Sequence, residues 1–313
     1  MRGNGGVVLS RYWRPAEWFE CQEPAETDLR KIVRGWGPGT HGEGDPGFSL
    51  QTRDTDVLTR LWAAGPLLTD HIHRLFWAEA KQDSVITARL RRLWDLGLLR
   101  RHRPVLERGM GSSPYLWAIS QRGFDLLHLL QPLWWVARWP NARWDARQDN
   151  RQPGPALAHG LVVADVAAWA VATQGREWIF ESEPASLIKA GVVQVGPRTK
   201  ETSFRPDAIL AREGAPSWFL EVERAAYQPT WRAKTETWVR WAKRFGSANR
   251  VPAQIVVAGY LKDAPERQER SILPLLRVLP ADLAPHVLVL DLDRWDPLSP
   301  EVPFVLATSL RAA

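Results

Sequence analysis

Asp207 and Glu221 stand fourteen residues apart on either side of a hairpin signal, and that spacing constrains the chain more than any other feature. Ser203 to Leu210 reads as one strand, apolar after the Asp. Gly214 to Pro216 reads as the turn, and Trp218-Phe219-Leu220 leads a second strand into Glu221. A hairpin of that length sets the two carboxylates near each other at one end of a small sheet. Converging carboxylates are hard oxygen ligands suited to Mg²⁺ or Mn²⁺. Such an ion activates water and stabilises charge developing on a phosphodiester. Strand alternation keeps Glu223 on the face of Glu221, with Val222 turned to the other side. The plainer reading is that Asp207 caps a turn, since Pro-Asp is a common turn dipeptide, and that Glu221 and Glu223 pair with Arg205 and Arg224.

Asp, hairpin and Glu in this order resemble the PD-(D/E)XK nuclease superfamily, whose pattern ends in Glu-x-Lys. Glu223 stands where the Lys is usual, and Lys234, on the helix that follows, takes its place as a migrated Lys does in some members. The resemblance implies a catalytic set of Asp207, Glu221, Glu223 and Lys234, with Mg or Mn as cofactor. It also implies a third metal ligand from the first helix or strand, for which Glu183 is the first candidate and Glu181 the second.

Charge points to a partner. The chain carries a net +6, and the segment from Ser84 to Arg122 holds eight Arg against Asp95 and Glu107, so this one segment accounts for the whole excess. A local Arg cluster on an otherwise neutral protein is the footprint of a polyanion site. Its surroundings predict three helices: Asp54 to Ala63, a second capped by Thr69, and a third from Gln82 to Leu96. Ile86, Leu90, Leu93, Trp94 and Gly97 form the buried stripe of the third, and Ser84, Thr87, Ala88, Arg91 and Arg92 its opposite face. A basic hairpin follows, from Leu98 to Leu106 and from Tyr115 to Ile119, and Ser120 then caps a fourth helix. Three helices and a basic hairpin are the order of a winged helix-turn-helix over residues 53–131. In that fold the third helix enters the major groove of duplex DNA and the wing touches the backbone. Ser84, Thr87, Arg91 and Arg92 would face the groove, with Arg100, Arg101, Arg103 and Arg108 on the wing. A winged helix serving protein contacts or dimerisation is the alternative. Leu93-Trp94-Asp95-Leu96-Gly97-Leu98 and Ser120-Gln121-Arg122-Gly123 resemble the helix end and the closing turn of bacterial winged-helix proteins.

Residues 1–52 read as a flexible arm, and residues 132–155, with Trp134, Trp135, Trp139 and Trp144, as a junction that packs two domains or stacks on unpaired bases. From residue 156 onward helices and strands alternate. The expected fold is a two-domain α+β and α/β chain, its C-terminal part a restriction-endonuclease-like α/β core around a mixed sheet. His159, at the start of the first helix there, reads as a capping or core residue or as a ligand. No run of eighteen apolar residues occurs and Met1 to Arg14 lacks a signal-peptide core, so a cytoplasmic location without a membrane partner is expected. The lone Cys21 excludes an internal disulfide.

Together the two halves resemble the replication-relaxation family of bacterial plasmids and integrative elements. The resemblance rests on the winged helix, on His159-Gly160-Leu161-Val162-Val163-Ala164-Asp165, on Phe204-Arg205-Pro206-Asp207, and on Phe219-Leu220-Glu221-Val222-Glu223-Arg224 with Lys234. It implies a duplex-DNA-binding protein of mobile-element replication or transfer, in contact with replication or conjugation proteins and able to form a homodimer. Two readings stay open: a nuclease-like domain that nicks DNA with a metal ion, or a catalytically inactive regulator or assembly protein.

Overall fold

The computed structural model describes residues 50–80, 83–102, 115–130, 155–179, 206–213, 215–223, 231–232, 234–236, 238–239, 254–263, 271–281, 283–296, 299–301 and 304–311. Residues 1–49 of the expected arm, residues 132–154 of the expected junction, and Arg103, Arg108, Glu181, Glu183, Arg205 and Arg224 lie outside them. The chain divides into two compact units within one helix, after Ala164.

The first unit begins with α1 (Thr52–Ala64), β1 (Leu67–Leu68), α2 (Thr69–Phe76) and α3 (Asp83–Asp95). It continues with β2 (Leu99–His102), β3 (Leu116–Ile119) and α4 (Gln121–Leu130), and its strands form an antiparallel sheet in the order β1-β3-β2. Val57, Leu58 and Leu61 of α1, Ile72 of α2, and Ile86, Leu90 and Leu93 of α3 are buried, as the helical period requires. Thr69 does not cap α2. Leu68 holds the N-cap position and its N–H donates to His71 Nδ1, while the Thr69 hydroxyl accepts from Trp117 Nε1 at 2.9 Å and so ties the helix to β3.

The turn between α3 and β2 explains two sequence phrases. The Gly97 N–H donates to the Trp94 carbonyl and the Leu98 N–H to the Leu93 carbonyl, with Gly97 at φ 79°. This is a Schellman helix end, which needs a left-handed residue after the last turn. The Ser120 hydroxyl then donates to the Gly97 carbonyl at 2.6 Å and accepts the Gly123 N–H at 2.9 Å, capping α4. A Cβ on Gly123 would stand 2.2 Å from the Leu98 carbonyl oxygen. Backbone cannot yield as a side-chain tip can, so Gly123→Ala is expected to destabilise this unit by about 1–3 kcal/mol or more. Urea unfolding of the variant checks this, and an unchanged midpoint would refute the close approach.

The second unit carries the C-terminal half of α5 (Pro155–Gln174), then β4 (Glu177–Ile179), β5 (Ala208–Arg212) and β6 (Ala215–Glu223). Helical residues follow between 231 and 239, and then β7 (Gln254–Gly259), α6 (Leu273–Arg277), a short 3-10 turn (Ala284–His286), β8 (Val287–Asp291), β9 (Phe304–Leu306) and α7 (Ala307–Arg311). The six strands run in sequence order across a mixed sheet. β6, β7 and β8 are parallel, and β4, β5 and β9 join antiparallel. One face takes α5, whose Trp169 stacks on Trp218 at 6.3 Å and meets Phe304 edge-on. On the opposite face Ile209, Phe219, Ile255, Val257, Val287 and Val289 pack with Trp231, Trp238 and the helices α6 and α7.

Several boundaries differ from the sequence reading. The first hairpin strand runs from Ala208, after Pro206 and Asp207, with Ser203 to Arg205 outside the described residues, and Ala215 and Pro216 belong to β6 rather than to the turn. Arg212 pairs with Ala215, and a bulge at Leu210/Ala211 admits Pro216 opposite Ala211. Bulges are where a strand tolerates a residue without an N–H. Among the described residues of the next helical segment the helix is Leu273–Arg277, and Ser271 and Ile272 before it are turn residues held to Leu261 and Tyr260. Among the described residues no helix is long and apolar enough to cross a membrane.

Candidate functional site

Antiparallel register pairs Ala208 with Leu220, which brings Asp207, one residue before β5, to the level of Glu221. The Asp207 N–H donates to the Leu220 carbonyl at 2.8 Å, and its carboxylate Oδ2 accepts the Val222 N–H at 2.9 Å. The side chain thus replaces a ladder acceptor where the strand has not yet begun. Glu221 and Glu223 lie two residues apart on one face of β6, and Val222 is buried on the other.

The helical residues at 231–239 present Trp231, Lys234, Thr235 and Trp238 to the sheet, a spacing that fits one helical face. Trp231 and Trp238 are fully buried and meet edge-on at 5.3 Å, and Trp231 Nε1 donates to the Leu275 carbonyl. These anchors fix Lys234 between them. Its Nζ lies 2.7 Å from Glu221 Oε2 and pairs also with Glu223 Oε1. Among the described residues both glutamates thus share one Lys; Arg205 and Arg224, their partners in the plainer reading, lie outside those residues.

Electrostatics sharpen the picture. Burial pushes the Glu221 carboxyl well above its ordinary range, and the nearby Asp207 charge adds to it, against the pull of Lys234. Only 1% of the Glu221 side chain is exposed, and its Oε1 finds no hydrogen-bond partner among the described residues. Burial alone would lower the Lys234 ammonium, but Glu221 and Glu223 outweigh it and raise it above its ordinary value. Lys234 is consequently a fixed cation and hydrogen-bond donor, never a general base near neutrality.

Asp291 was not singled out by the sequence. It falls in the same row as Glu223 and Gly259, at the end of β8. Its Oδ1 accepts the N–H groups of Leu261 and Asp293, a turn-closing task. A Cβ on Gly259 would stand 2.7 Å from the Glu223 carbonyl, so glycine keeps this row tight. Among the described residues no group of three or more His, Cys, Asp or Glu is placed to hold a metal ion. Glu183, the expected third acid, is not among them, and His159 sits half-buried near the start of α5.

In the first unit the solvent-exposed stripe of α3 runs through Ser84, Val85, Ala88 and Arg91, flanked by half-buried Thr87 and Arg92. Not every Arg of the basic segment reaches outward. Arg89 clamps the fully buried Asp54 through Nε, at 2.8 Å, and Nη2. Asp54 also accepts the Gln51 N–H at the start of α1, so this pair joins two helices. The Arg101 guanidinium lies 3.8 Å over the Trp94 ring and 5.2 Å from that of Tyr115, which fixes β2 against α3. Arg100 is half-buried on β2. The signal for Arg89 was its place on the buried side of the α3 period, with Ile86 and Leu90.

A family model described as replication-relaxation matches residues 58–255, a span that includes both the α3 stripe and the acid cluster. No curated protein and no solved structure matches the chain.

Proposed function

The chain belongs to the replication-relaxation family, and from that premise we propose that it is a duplex-DNA-binding protein of mobile-element replication or transfer. Its first unit acts as a winged helix-turn-helix. The observation that carries this reading is the α3 stripe ending in exposed Arg91, set on a helix whose far side is core and whose end is locked to a hairpin. Ser84, Thr87, Arg91 and Arg92 read the major groove, and Arg100, Arg101, Arg103 and Arg108 contact phosphates.

The second unit follows the helix, three-strand meander, helix, parallel-strand order expected of a PD-(D/E)XK-like core, and its proposed activity is metal-dependent nicking. Asp207 and Glu221 would hold Mg²⁺ or Mn²⁺, with Glu183 as the third acid. The unpartnered Oε1 of Glu221 fits a hard cation. When bound, the ion supplies charge stabilisation and a more acidic water. Lys234, a permanent ammonium, orients that water by hydrogen bonding, and Glu223 holds Lys234 in place. A second reading, a catalytically inactive regulator or assembly protein acting with replication or conjugation proteins or as a homodimer, is favoured by one observation. Lys234 already pairs with both glutamates, as a cation in a purely structural ion cluster would.

Arg91→Ala with Arg92→Ala is expected to weaken sequence-selective binding by about 1–3 kcal/mol for each base-edge pairing removed. Arg100→Ala should lower affinity on every duplex and flatten its salt dependence. Electrophoretic shift titrations at two salt concentrations measure both effects. Unchanged affinity in the triple variant would overturn the assignment of DNA binding to this unit.

A further inference from the structure

We infer that α3 selects its site through thymine methyl groups, with Val85 and Ala88 as the apolar readers and Arg91 reading a guanine beside them. The inference rests on the DNA-binding reading above and specifies which base pairs that surface takes. Val85 is 56% exposed, and in this unit it and Leu129 are the large apolar side chains that the described residues leave in solvent. It stands on the exposed side of the helix with Ala88 and Arg91. A solvated helix face ordinarily favours Glu, Lys or Gln. A β-branched residue there loses rotamer freedom and gains nothing from water.

In the first two turns of a helix entering the major groove, side chains meet base edges rather than phosphates. Val85 and Ala88 offer no donor or acceptor, so the one base-edge group they match is the C5-methyl of thymine. Arg91 carries the fork that pairs with guanine O6 and N7. At 1.5 Å per residue Arg91 stands about 9 Å beyond Val85 along the axis. For a helix lying along the groove that is about three base-pair steps of 3.4 Å. The preferred site therefore holds thymine and guanine within roughly three base pairs. Occupancy by DNA rather than a protein partner follows from charge, because the segment from Ser84 to Arg122 carries the entire net excess of +6.

The test starts from duplexes recovered by the full chain from a random-sequence pool. In the best of these, each deoxythymidine is replaced by deoxyuridine, which removes only the methyl. Binding is measured for the native protein and for Val85→Ser. At one or two positions the replacement should weaken native binding about fourfold, the value of one buried methyl-sized group. At the position that Val85 reads, the same replacement should cost Val85→Ser nothing, while a position that Ala88 reads keeps its cost. Selective binding with no deoxyuridine effect, or an equal effect in both proteins at every position, would overturn the thymine reading and leave DNA binding intact. Failure to recover any duplex would instead overturn the DNA-binding reading on which it stands. Val85 is not among the buried core residues, so matched melting temperatures are expected and make the comparison valid.

Discussion

Asp207→Ala and Glu221→Ala are each expected to abolish nicking of supercoiled plasmid in Mn²⁺, while duplex binding by the first unit persists. Removing either acid takes away one of the two carboxylates that converge on the ion, and the charge on the phosphodiester then goes uncompensated. Asp207→Asn separates chemistry from folding, since the amide oxygen can still accept the Val222 N–H that Oδ2 accepts now. Lys234→Ala should slow the reaction more gently, because orienting water is one contribution beside that of the metal. Nicking is scored as conversion of supercoiled to relaxed circles, with EDTA as the metal-free arm. Activity that survives EDTA would contradict the proposed chemistry, for two acids beside a phosphate repel it without a cation. Absence of nicking with every divalent ion would leave the regulator or assembly reading standing.

The second large effect concerns stability. Lys234→Met keeps the length of the side chain but removes the charge between Glu221 and Glu223. Breaking a buried pair from one side costs about 3–5 kcal/mol, the lower end being apt for a Lys that is 28% exposed. The pH dependence has a definite sign. The folded-state carboxyl of Glu221 titrates above its ordinary 4.5, so its contribution is fully present below that value and is lost as pH rises through the folded one. Without Lys234 the folded value climbs further, and the loss deepens. Lys234 itself titrates above its ordinary 10.5 in the fold, so its contribution is fully present across neutral pH in the native protein and missing in the variant. Urea unfolding at about pH 5 and about pH 8 should show a deficit that grows with pH. A deficit independent of pH would mean that Lys234 does not neutralise Glu221.

Much of this was legible in the residues. The period of α3 alone separates buried Ile86, Leu90 and Leu93 from exposed Ser84, Ala88 and Arg91. Alternation places Glu223 beside Glu221, and the following helix brings Lys234 to both. What periodicity could not disclose is how distant segments meet. Arg89 counts as one more positive charge until Asp54, thirty-five residues away, is seen to consume it. Thr69 looks like a cap because it precedes a helix, yet its hydroxyl serves Trp117, forty-eight residues on. Pro216 reads as a turn residue because local rules know nothing of the bulge that admits it to β6. The short strand β1 and the closing elements β9 and α7 escaped notice, being two to five residues long and without a period to declare them.

β6 is covered on both sides, with Trp218, Leu220 and Val222 turned to one layer and Phe219, Glu221 and Glu223 to the other. A strand apolar on both faces specifies its alignment poorly, because a slip by one residue still buries hydrophobic groups. The two glutamates break that degeneracy. Slipped by one, they would enter the layer beneath Trp169 and Trp218, away from Lys234, a misalignment penalised by the loss of that pairing. The buried charges of this site are thus also the ones that tell β6 where to sit.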